Sequence, residues 1–93
     1  MLERIINLVD SGEYNSLGVI IYDSKGGELF ECTFYNDEAD IYYNSEYNTI
    51  SVSMLNDDFV LQIPLPDDDS KILGDETDYF DFKVNGNQYC IGF

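Results

Sequence analysis

The side chains able to do chemistry in this sequence are nearly all carboxylates, and they come in runs: Asp37, Glu38 and Asp40; Glu46; Asp57 and Asp58; Asp67, Asp68 and Asp69; Asp75, Glu76 and Asp78. Paired carboxylates equip glycosidases, one as proton donor and the other as nucleophile or base. That reaction needs a substrate cleft, for which 93 residues leave little volume. The absence of histidine removes the commonest general base at neutral pH, the commonest metal ligand and every Ser-His or Cys-His nucleophile pair. Clustered aspartates also suggest calcium, and Asp67, Asp69 and Lys71 begin like an alternating binding loop. Ile72, however, stands where the EF-hand loop turns on glycine, Lys71 replaces an oxygen ligand, and Asp78 replaces the closing glutamate. Cys32 and Cys90 fit no metal spacing and are expected as free thiols packed inside strands. No Gly-rich phosphate loop is present. The reading is a non-enzyme with no catalytic, cofactor-binding or metal-ligating residues.

What the carboxylates do provide is a field. Nineteen acidic residues against four basic ones give a net charge of −15. Self-repulsion of this size opposes compaction, so a folded chain that keeps it uses it to attract a cationic partner or to stay soluble. The same charge repels nucleic acid, so direct binding to DNA or RNA is not expected. Tyrosines interleave with the acids: Tyr35 precedes Asn36-Asp37-Glu38, Asp40 precedes Tyr42-Tyr43, Glu46 precedes Tyr47, and Asp78 precedes Tyr79. Tyrosine offers rigid contact area with a polar tip and is enriched at interface hot spots. The residues expected to meet a basic protein partner are therefore Asp37, Glu38, Asp40, Tyr43, Glu46, Tyr47, Asp57, Asp58, Asp67, Asp68, Asp69, Asp75, Glu76 and Asp78. Like charge on both copies discourages self-association, so a monomer is expected.

One domain accommodates the length, and 44% hydrophobic with 15% aromatic residues argue for a packed core rather than a disordered acidic chain. The longest apolar stretch, Leu17 to Tyr22, is far shorter than the roughly 18 residues that span a bilayer. Glu3 and Arg4 at the start do not make a secretory signal, so a cytoplasmic protein is expected. Leu2, Ile5, Ile6 and Val9 recur at helical spacing before Asp10-Ser11-Gly12, which predicts a short amphipathic helix over 2–10. Period-two segments follow at 17–22, 28–35, 41–43, 49–55 and 59–63, the last ended by Pro64 and Pro66. Residues 64–78 read as a loop with one helical turn around Lys71-Ile72-Leu73. Phe80-Phe82-Val84 and Tyr89-Ile91-Phe93 read as a hairpin, whose turn is either Asn85-Gly86 or Gly86-Asn87, since both keep the apolar face inward. The expected fold is α+β, the helix packed on a mainly antiparallel meander sheet of about five to seven strands.

Mimicry of a nucleic-acid backbone sets a geometric demand. Alternate carboxylates on one strand lie ~6.6 Å apart, against a charge about every 3.4 Å along one DNA strand. Only two adjacent rows, or a strand rim plus acidic loops, approach that density, so the acidic runs would have to converge on one side.

In small size, extreme acidity, lack of catalytic residues and acidic-aromatic mixture, the chain resembles phage anti-CRISPR proteins and other phage DNA mimics. The resemblance is compositional and spans the whole chain. It implies a phage- or mobile-element-encoded, stoichiometric inhibitor that occupies the Arg- and Lys-lined channel of an RNA-guided nuclease in the bacterial host. Two other readings stand beside it: an immunity protein neutralising a basic nuclease toxin, and an acidic structural or adaptor domain without inhibitory action.

Overall fold

A computed structural model describes residues 2–76 and 78–93, with residues 74 and 75 described by their backbone alone. The helix α1 spans Leu2–Ser11 and buries Ile5 and Val9. Its end is built locally. Ser11 Oγ donates to the Leu8 carbonyl at 2.9 Å and accepts from the Glu13 amide, and Gly12 takes the left-handed φ of 65° that a side chain would disfavour. No helix among the described residues is long and apolar enough to cross a membrane.

Eight strands follow: β1 Ser16–Tyr22, β2 Glu28–Tyr35, β3 Ala39–Asn44, β4 Thr49–Met54, β5 Val60–Pro64, β6 Ile72–Glu76, β7 Tyr79–Val84 and β8 Asn87–Gly92. The expectation of one meander sheet of five to seven strands is corrected here. The strands form two antiparallel sheets, one ordered β2-β1-β8-β7-β6 and one ordered β3-β4-β5. The chain leaves the large sheet after β2, builds the small one, and returns at β6. Separating the sheets lets their apolar faces meet. Leu17, Val19, Ile21, Phe34, Phe80, Phe82 and Ile91 from one join Ile50, Val52 and Ile63 from the other in a single core that also takes in α1. Leu2, Ile6, Phe30, Cys32 and Leu61 pack against this core but are only partly buried.

Aromatic rings join the sheets. Phe59, just before β5, stacks on Phe30 and Phe34 of β2 at 6.2 and 5.9 Å between centroids. Phe82 stacks on Tyr89 across the C-terminal hairpin at 5.8 Å. That hairpin turns on Asn85-Gly86, pairing Val84 with Asn87 and Phe82 with Tyr89. Both turn residues have positive φ, 54° and 85°, as a type I′ turn requires.

A second correction concerns 64–78. A single 3-10 turn, Asp69–Lys71, is followed by the edge strand β6, paired with β7 through Ile72↔Phe82 and Asp75↔Phe80. The prolines end β5, but they do not hold the whole segment off the sheet. Ile72 packs against the core while Leu73 is exposed.

Both cysteines are free: Cys32 is half-buried, and burial pushes the Cys90 thiol up to about 11, with a hydrogen bond to Asp81 adding to the rise. Alkylation of the native protein at pH 8 should therefore spare Cys90. An ordinary thiol, with pKa about 8.5, carries roughly two-hundredfold more thiolate there. Mass spectrometry after brief iodoacetamide treatment checks this, and Cys90 modified as fast as in the denatured chain would contradict it.

Candidate functional site

Strand directions divide the acidic runs between two ends of the molecule. At one end, the β2–β3 turn with Asp37 and Glu38 lies beside the β4–β5 turn with Asp57 and Asp58, the Leu55 amide donating to the Glu38 carbonyl at 3.0 Å. Ser16 pairs with Tyr35, Gly18 with Gly92, Gly92 with Tyr79, and Tyr79 with Glu76, so Glu76 at the end of β6 and Asp78 just before β7 reach this same end. Asp40 follows one residue into β3. Glu46 and Tyr47, in the β3–β4 turn, and Asp67 lie at the opposite end, separated by the length of β3, about 17 Å at ~3.3 Å per residue. The full convergence that backbone mimicry demands is thus not met. Two adjacent turns meet it locally.

The basic residues sharpen the division. Lys25 sits in the β1–β2 turn, Lys71 in the 3-10 turn and Lys83 near the end of β7, all toward the end that holds Asp67. Lys71 reaches Asp67 at 3.4 Å, and Lys83 lines the same open depression as Tyr47 and Asp67. Arg4 bonds Asp78 at 3.2 Å and lies over the Phe80 ring. The end formed by Asp37, Glu38, Asp57 and Asp58 is consequently the acidic pole of the fold, with no lysine in its turns.

Residues that sequence pattern did not single out complete this pole. Tyr14 and Asn15, between α1 and β1, line an open depression with Tyr35, Asn36 and Asp37. Asn36 fixes them there, its amide donating to the Gly12 and Tyr14 carbonyls at 2.9 Å each. Tyr14 stands edge-on to Phe93, and burial, then the nearby charge of Asp40, raises its phenol pKa. A second depression places Glu13, Tyr14 and Asp78 together. The signal for Tyr14 was absent because it belongs to no element and adjoins no acidic run in sequence.

Other candidates have structural duties. Tyr43 is half-buried and its hydroxyl donates to Asn48 Oδ1 at 2.8 Å, while the Asn48 amide donates to the Leu65 and Pro66 carbonyls. This clamp ties the β3–β4 turn to the exit of β5. Asp68 caps the 3-10 turn, accepting from the Ser70 hydroxyl and amide. Asp69 Oδ1 accepts from the Leu2 amide at 2.9 Å, fixing the start of α1. The Asp75 side chain lies outside the described residues. Among those described, no group of three or more Cys, Asp or Glu is placed to hold a metal ion.

These contacts hold Asp68 and Asp69 below their ordinary pKa of 3.8, the Ser70 hydroxyl being the main cause for Asp68 and the Leu2 amide for Asp69. A lowered folded value means the contacts are complete above the ordinary value and lost as pH falls through the folded one. In an NMR titration the Ser70 and Leu2 amides should shift together with those late protonations, below the midpoint of the same aspartates in the unfolded chain. Midpoints at or above it would contradict the contacts.

Salt should act in the other direction. The exposed carboxylates repel one another, and the Debye length shrinks to about 10 Å at 0.1 M salt, so moderate salt should raise the melting temperature. Each ~1 kcal/mol of relieved repulsion is worth about 4–8 °C in a domain of this size. A melting temperature that fell steadily between 10 and 150 mM salt would show that local ion pairs outweigh repulsion.

Comparison with known families, curated proteins and solved structures found no match for the chain.

Proposed function

We propose that the protein is a stoichiometric inhibitor that binds a basic, nucleic-acid-binding bacterial enzyme through its acidic pole, acting as an anti-CRISPR DNA mimic against an effector nuclease. The observation that carries this reading is the segregation of charge: adjacent acidic turns at one end, all three lysines toward the other. A net charge of −15 steers association with a cationic channel at long range, and the exposed Tyr35 beside Asp37 supplies contact area once there. Two neighbouring turns, tied by the Leu55–Glu38 backbone hydrogen bond, gather four exposed carboxylates of the kind that phosphate-gripping arginines and lysines accept. The protein needs no chemistry of its own to act this way. It occupies the site and excludes the nucleic acid.

The test is competition. Guide-loaded effector is mixed with labelled target DNA, and the protein is titrated in; displacement should be complete near one equivalent and reversed by excess DNA. Equal binding of the protein to free and DNA-loaded effector would overturn mimicry. Absence of binding to any effector, with capture of a nuclease toxin instead, would overturn the choice of target.

A further inference from the structure

The outer face of the five-stranded sheet holds a groove that none of the acidic runs forms. Gly18 of β1 and Gly92 of β8 are direct cross-strand partners, so the centre of this face has no side chain across two strands. Thr33 of β2 pairs with Gly18 on one side and Tyr79 of β7 pairs with Gly92 on the other, which gives the bare floor two walls. The Tyr79 ring lies down over Gly92: a Cβ there would stand 3.3 Å from Tyr79 Cδ2. Above Gly18 the space is open, the nearest atom to an added Cβ being the Gly92 carbonyl at 3.9 Å. The resulting groove has a volume of about 160 Å³ and includes Glu31 and Cys90. In the neighbouring row, Glu31, Ile20, Cys90 and Asp81 lie across the same four strands. Asp81 Oδ1 is shut off from solvent, and the Asp81 carboxylate stands against the Cys90 thiol and the Tyr79 hydroxyl.

We propose that this groove receives an arginine side chain of the basic partner, its stem on the open Gly18 floor, its guanidinium against Tyr79 and its N–H groups toward Glu31. The assignment rests on the reading that the partner is cationic, and it places a second contact away from the acidic pole. Charge complementarity selects the occupant. Among the described residues Glu31 is the one charged residue lining the trough, Asp81 adds negative charge behind Cys90, and Lys83 lies one row beyond Asp81. Arginine fits better than lysine because its head is planar, less strongly hydrated and able to stack on an aromatic ring while donating in its own plane. Tyr79 and the glycine floor offer such a slot.

The test uses the full chain, ¹⁵N-labelled, titrated with N-acetyl-arginine-N-methylamide and with the norleucine and lysine counterparts. The arginine compound should shift the Gly18, Gly92 and Thr33 amides saturably, with affinity in the millimolar range expected of so small a ligand, and the lysine compound several-fold more weakly. Gly18→Val fills the floor in a strand position that has room for it, and should weaken binding about tenfold or more with peak dispersion retained. Glu31→Gln, a second variant, should weaken it by a factor of about three. Equal binding of the norleucine compound would make the groove merely apolar and overturn the proposal. So would shifts confined to the acidic turns, or shifts at Gly18 and Gly92 that grow with protein concentration alone and mark a second copy as the occupant. Failure of DNA competition overturns the functional reading but leaves these peptide titrations standing, so the two failures are separable.

Discussion

Phe82→Ala is expected to remove about 3–5 kcal/mol of folding free energy, the range for emptying a fully enclosed phenylalanine site. Phe82 is 0% exposed, stacks on Tyr89 and pairs across β6 with Ile72, so the cavity would open where two cross-strand contacts meet. A domain of 93 residues has a total stability of about 5–10 kcal/mol at ~0.05–0.1 kcal/mol per residue. The variant should thus lose about a third or more of its margin, read as a large fall in urea midpoint at unchanged slope. Phe59→Ala offers the contrast. Its ring stacks on Phe30 and Phe34 but is 36% exposed, so the loss should be clearly smaller. Equal losses at the two positions would mean the core is not organised around β7 and β8.

Joint replacement of Asp37 and Asp58 by asparagine and of Glu38 by glutamine, with Asp57→Asn, should cost the most in partner binding. The four lie in two adjacent turns, all exposed, and none has a side-chain contact that the fold relies on. If each meets an arginine that otherwise grips phosphate, the loss should reach about 4 kcal/mol or more, near a thousandfold in Kd. At a solvated rim it would stay below about 1 kcal/mol per charge and show mainly in the association rate. The control is the other end: Asp67, Asp68 and Asp69 to asparagine removes three charges there and leaves acceptor oxygens for the Ser70 and Leu2 amides. That triple should bind nearly as well as the wild type, by surface plasmon resonance at matched salt. A larger loss from the triple than from the quadruple would move the contact surface to the lysine-bearing end.

The pattern of apolar residues was enough to locate α1, β1 to β5, β7 and β8, because their apolar residues alternate or recur at helical spacing. It could not see β6. Leu73-Gly74-Asp75-Glu76 has no apolar alternation, and an edge strand with one partner needs little of it. Nor could it divide the strands between two sheets, since Phe59 and Phe30 look alike in sequence whether they meet within a sheet or between sheets. The hairpin register stayed open because turns on Asn85-Gly86 and on Gly86-Asn87 both preserve the alternation, whereas the backbone takes positive φ at 85 and 86. For the candidate site, charge runs were visible as residues, but their positions follow from strand direction. Asp37 and Asp57 become neighbours through the Glu38–Leu55 hydrogen bond, while Asp67, in the densest run, is carried to the far end by β5. The glycine groove was invisible for the same reason: Gly18 and Gly92 are meaningless apart.

The order of strands also governs how the chain reaches this state. The hairpins β1–β2 and β7–β8 are local and can close within microseconds, the second helped by its preset turn. Their union through β1–β8, which brings Gly18 to Gly92, requires closing nearly the entire chain. Folding should therefore be slow for the domain's size and limited by the meeting of two preformed hairpins. Until that meeting, the inner faces of β1 and β8 stand open side by side with unpaired edges, and like charge between molecules is the main barrier to pairing with the wrong chain. The charge that suits a cationic partner also guards the protein on its way to the native state.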